Sequence, residues 1–192
     1  MLRVASVHAP FESAPSVFSA VETLRLLEAM GLLDNDDDVI ERLDSETLQR
    51  MLDAATRGGL SPSAVVPLRG RWKRDPEAVG RALDALRAAL EDSPAPASEW
   101  RSLGKLFGPD RLAALTGIAK ISLRRYASGE RPTPDDVAVR LHFLAKVTGD
   151  LRGAYNDIGV RRWFERPRTA LDGRTPGELL SGRWDPDAPD VT

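Results

Sequence analysis

Lys120, Ser122, Arg124 and Arg125 are the side chains whose types and spacing offer chemistry most plainly. They fall within two turns of a predicted helix, Lys120 to Ser128, with Leu123 and Tyr126 on its other side. Short and long hydrogen-bond donors near a helix start suit base edges in a major groove and the phosphates that flank it. The chemistry on offer is recognition of duplex DNA.

Those donors need a frame, and the stretch from Pro109 to Pro134 supplies one. Residues 111–115 predict a first short helix, and Gly117 falls where a turn is required, either for a positive φ or for close approach. Leu112, Leu115, Ile118, Leu123 and Tyr126 recur at spacings that turn one face of both helices toward a shared core. Gly129 is placed to end the second helix. Charge points the same way. The whole chain of 192 residues carries −2, yet 99–184 has 16 Lys and Arg against 10 Asp and Glu. Residues 1–98 have 11 against 16, and the last eight add three aspartates. Binding to nucleic acid depends on where charge lies, and the surplus lies with the donors.

Helical periodicity runs through the rest. A helix is expected from an N-cap at Ser16 through Val17, Val21, Leu24, Leu27 and Met30 to Gly31, after a poorly ordered leader up to Ala14. Val39, Ile40 and Leu43 suggest a short helix, and Asp44 or Ser45 starts another that Gly58 and Gly59 stop. Asp34–Asp38 lacks the glycine and distal glutamate of a calcium loop and reads as capping and solvation. Ser61-Pro62 opens a turn of helix, and residues 69–74 form a basic patch around Trp72, read as a solvated loop. Val79, Leu83, Leu86 and Leu90 mark one face of a helix beginning at Asp75-Pro76. Residues 92–98 carry two prolines and read as a linker. Beyond them are expected a helix from Glu99 to Phe107, a long one with Val137, Leu141, Leu144, Val147 and Leu151, one capped by Asn156, and a last turn at Thr175-Pro176. The expectation is an all-α chain: a helical bundle of open role at 1–91, a linker at 92–98, a DNA-binding domain at 99–153, and a small helical segment with a flexible acidic tail at 154–192.

Chemistry of other kinds is sparse. The chain has no cysteine, so disulfides and thiolate ligands are excluded, which fits a cytoplasmic setting. His8 and His142 stand alone, without a second histidine or glutamate at metal-ligand spacing, and no phosphate-cradling glycine run occurs. The expectation is a binder rather than an enzyme, with no catalytic residues, metal or cofactor. No apolar run reaches the length of a membrane helix, so no membrane partner is expected.

Two resemblances join these observations. Leu112-Ala113, Gly117-Ile118, Leu123, Tyr126, Ser128-Gly129-Glu130-Arg131 and Pro134 resemble the helix-turn-helix of Xre/Cro-type repressors. Farther on, Trp163-Phe164, Arg166-Pro167, Ala170-Leu171-Asp172-Gly173-Arg174-Thr175-Pro176, Leu179-Leu180 and Gly182 resemble the toxin-binding domain of Xre/MbcA/ParS-type antitoxins. What the pair implies is an antitoxin of a type II toxin–antitoxin system. Such a protein represses its operon at an operator, here expected to be palindromic and bound by a homodimer. It also neutralises a RES-domain toxin that acts on NAD. The resemblance puts toxin contact at Trp163, Arg166, Arg174, Leu179 and Leu180. The alternative is an Xre-family transcriptional regulator without a toxin, and a third reading is an interaction scaffold that no longer binds DNA.

Overall fold

The computed structural model describes residues 3–33, 39–60 and 76–188. The aspartate run at 34–38, the helical turn and basic patch expected between 61 and 75, and the last four residues lie outside that description. The described chain is all-α apart from two strands of two residues. Its helices are α1 (Ala14–Ala29), α2 (Ser45–Arg57), α3 (Pro76–Glu91), α4 (Pro96–Phe107), α5 (Pro109–Thr116), α6 (Lys120–Ala127), α7 (Asp135–Leu151), α8 (Asp157–Glu165) and α9 (Pro176–Leu179). No described helix is long and apolar enough to cross a membrane.

Local sequence explains most of these bounds. Asp44 caps α2 by accepting from the amides of Glu46 and Thr47, and those bonds, the Thr47 amide first, hold its carboxyl below the ordinary range. Asn156 caps α8 from the Gly159 amide, and Thr175 with Glu178 forms a capping box on α9. The predicted inward residues of α3, Val79, Leu83, Leu86 and Leu90, are all buried.

The N-terminus departs from expectation. Ser13, not Ser16, caps α1, because Pro15 can occupy the first turn without losing a needed hydrogen bond. The expected leader is built into the fold. Strand β1 (Arg3–Val4) pairs in parallel with β2 (Val39–Ile40), where a helix was expected, and Val7 bridges to Leu43. Phe11 is fully buried. Valine and isoleucine at 39–40 suit a strand once a partner strand is at hand, and that partner comes from some 35 residues away in sequence.

α1 organises the interior. It packs on α3 along one side and on α7 along another, and also meets α2 and α4. Its approach to α7 is close, since a Cβ on Gly149 would lie 3.4 Å from the Leu26 Cα. Apolar residues before and after position 92 therefore belong to one buried cluster, from Phe11 and Leu27 to Leu141 and Phe164. The linker expected at 92–98 is shorter than drawn, because α4 already begins at Pro96. A buried pair ties the same junction: His142 Nδ1 lies 2.6 Å from Glu99 Oε1, and its Nε2 donates to the Glu91 carbonyl at 2.8 Å. A carbonyl can only accept, so Nε2 carries its proton.

Candidate nucleic-acid interface

α5 and α6 are joined by three residues, and the turn forms for a readable reason. Gly117 takes φ +68°, and the amides of Gly117 and Ile118 bond back to the carbonyls of Ala114 and Ala113, the paired closure of a Schellman turn. Leu112, Leu115 and Leu123 go into the core. Tyr126 is half-buried, its ring stacked on Trp100 at 6.3 Å between centroids. Trp100 in turn donates from Nε1 to Thr133 Oγ1 at 2.9 Å, which fixes the chain entering α7. The second helix is thus held from behind by α4.

Its front is open. Stepping 100° per residue around α6 puts Lys120, Arg124, Ser128, Ile121 and Arg125 on one continuous arc, and all five are exposed. Three of the four expected donors therefore share a face. Ser122 falls at its edge, half-buried on the side of Tyr126. Ile121, 57% exposed in the middle of the face, was not among the expected contacts. The periodicity that placed Leu123 and Tyr126 inward had already left it out of the core face. On such a face a branched apolar side chain can meet a thymine methyl.

Electrostatically, the face is lightly tethered. Lys120 Nζ lies 2.7 Å from Asp110, and Arg125 Nε lies 3.4 Å from Glu130, all four side chains well exposed. Pairs of this kind contribute about 0–1 kcal/mol and yield readily to a phosphate. Arg124 has no ion pair among the described residues. No acidic residue stands in the first turn of α6, and Ala119 caps it without a side-chain bond.

The second set of expected contacts is split between surface and core. Arg166 and Arg174 are exposed, at the mouth of a small loop closed by two backbone bonds between Arg168 and Gly173-Arg174, both 2.9 Å. Trp163 is half-buried, edge-on to Phe164 at 5.2 Å, with the Arg168 guanidinium 5.0 Å over its ring. Leu179 is half-buried. Leu180 is only 4% exposed and belongs to the core, because α9 folds back on α8. Leu180 is packed into the protein rather than left over for a partner, whereas Trp163 keeps part of its surface open.

The largest surprise follows Gly182, where a flexible tail was expected. Trp184 is buried, edge-on to Phe143 at 5.2 Å, and donates from Nε1 to the Leu115 carbonyl at 2.7 Å. The Gly182 amide reaches the Ala114 carbonyl at 3.3 Å. A Cβ on Gly117 would stand 1.9 Å from the Gly182 carbonyl oxygen, so the turn before α6 and this strap need each other's shape. Buried Arg140 completes the joint, donating to the carbonyls of Thr116 at 3.0 Å and Trp184 at 3.4 Å and to Asp136 at 2.7 Å. That last bond is the first cause holding the Asp136 carboxyl below its ordinary value. Arg140 was not among the residues singled out from the sequence. Its four-residue spacing from Asp136 was the one local signal.

A scan against protein-family models finds no match to this chain, and neither do searches of curated proteins and of solved structures.

Proposed function

We propose that this protein binds duplex DNA, with α6 entering the major groove. The observation that carries the reading is the face of α6: Lys120, Ile121, Arg124 and Arg125 together, exposed, on a helix held from behind by Trp100 and the Gly117 turn. Arg124 and Arg125 supply forked donors for guanine edges or phosphates, and Lys120 a phosphate contact. Salt titration of binding to an operator fragment from the protein's own promoter tests it. Arg124→Ala with Arg125→Ala should weaken binding by about 1–3 kcal/mol for each base-reading arginine and flatten the salt slope. Unchanged affinity and slope would remove α6 from the interface.

We further propose that it acts as an antitoxin, holding a RES-domain toxin through Trp163, Arg166, Arg174 and Leu179. Support comes from the resemblance of 163–182 to toxin-binding domains and from the exposed arginines around Trp163. Co-expression with the nearest RES-like protein tests this, with Arg166→Glu and Arg174→Glu expected to break co-purification. The plain regulator is the second reading. What favours it is the inward packing of Leu180 and Trp184, which leaves a smaller apolar face for a toxin than the sequence suggested.

A further inference from the structure

Away from α6, the end of α1, the last turns of α2 and the first turn of α4 enclose a cleft of about 810 Å³. That size lies within the range of small-molecule sites. Its described lining includes Arg50 and Arg57 from α2, Arg101 from α4, and Leu32 and Leu33 from the end of α1. Asp53 is the one carboxylate among the described lining residues. Three arginines thus line it, two of them from the part of the chain whose charge is otherwise negative.

The cleft is preformed. A Cβ on Gly31 would lie 2.6 Å from the Ser98 carbonyl, and Ser102 donates from Oγ to the Glu28 carbonyl at 3.0 Å, which fixes α1 against α4. On the other wall a Cβ on Gly58 would lie 2.7 Å from Leu32 Cδ1. Arg57 reaches the Leu32 carbonyl at 3.4 Å, which holds its stem along the wall. Arg101 has no side-chain partner among the described residues. Arg50 and Arg57 are seven residues apart, two turns along one side of α2, or about 10 Å. Spaced forked cations beside an apolar wall suit a ligand with more than one anionic oxygen group and an apolar or planar remainder.

We propose that this cleft binds a small phosphorylated molecule of about nucleotide size, with Arg57 and Arg101 on its phosphoryl oxygens and Leu32 and Leu33 against its apolar part. The proposal is independent of the DNA reading, since none of these residues belongs to α6. Isothermal titration of the full chain at fixed ionic strength, with adenosine diphosphate and separately with inorganic pyrophosphate, tests it. Saturable binding is expected for both, tighter for the nucleotide. Arg57→Gln and Arg101→Gln should each weaken it by about tenfold, the worth of a hydrogen bond to a charged group. Both side chains are exposed, so unfolding midpoints should stay put, and Arg42→Gln, on the loop before α2 and not part of the lining, should bind as the parent does. No saturable binding of either probe at millimolar concentration overturns the proposal. So does binding that both substitutions leave intact. Loss of DNA affinity in these variants, without binding of either small probe, would instead make the cleft part of a nucleic-acid surface and overturn it equally.

Discussion

α6 and the strap from Gly182 to Trp184 lie on two sides of one turn and use their side chains in opposite ways. Of the eight residues of α6 only Leu123 is buried, and the cations point outward. The strap sends its tryptophan inward and joins its backbone to α5 and to Arg140. A recognition face has to stay out of the core to be readable, whereas a strap acts only by entering it. The consequence is a clean division. Changes on α6 should cost binding and spare folding, and changes in the strap should cost folding first.

The broadest test concerns the body that both are attached to. Because α1 lies between α3 and α7, the halves before and after position 92 share one core, and a single unfolding transition is expected. Denaturant curves followed by circular dichroism and by tryptophan fluorescence should coincide. Two separated transitions would mean that the two halves fold independently.

Next in size is the strap. Trp184→Ala removes a buried indole and its bond to the Leu115 carbonyl, and should cost about 3–5 kcal/mol in chemical denaturation. Gly117→Ala should follow. A side chain at φ +68° costs about 1–3 kcal/mol by backbone strain alone, and the Gly182 carbonyl must also move. By contrast Arg124→Ala with Arg125→Ala should change stability by no more than about 0.5 kcal/mol, as exposed substitutions do. If the arginine pair destabilised the protein as much as Trp184→Ala, the division between face and strap would fail.

Much of this was legible locally. The spacing of Val79, Leu83, Leu86 and Leu90 located α3, Asp44 and Asn156 located two helix starts, and Gly117 located the turn, since each is decided within a few residues. What periodicity could not carry were contacts that close over distance. The pairing of Arg3–Val4 with Val39–Ile40 is too short to alternate, and Phe11 and Trp184 look like terminal residues until their cavities exist. Arg140 and His142 are polar residues on a mostly apolar helix. Nothing nearby in sequence says that Thr116, Trp184, Glu91 and Glu99 will satisfy them. For the candidate site, the cations were legible and the exposed Ile121 among them was not. Leu180 was read as a toxin contact because nothing local shows how fully α9 folds onto α8.

The finest distinction lies in pH, at the two ends of α7. At the strap end Arg140 holds Asp136 below the ordinary aspartate value, so the fold favours its carboxylate. That contribution is full above the ordinary range and is lost as pH falls through the lowered value. At the other end Asp150 is shifted upward, first by desolvation and then by the carboxylates of Glu22 and Glu91. Here the fold favours the protonated acid, and stability is lost as pH rises from the ordinary value through the raised one. The two substitutions should therefore act with opposite sign. Asp136→Asn should lower the denaturation midpoint at neutral pH and make little difference in acid, where the parent has already lost its carboxylate. Asp150→Asn should raise the midpoint at neutral pH, with the gain fading in acid. Midpoints for both variants from neutral pH down to about pH 3 would measure this. Shifts of the same sign at both positions would mean that the Arg140 fork does not set the charge at the strap end of α7.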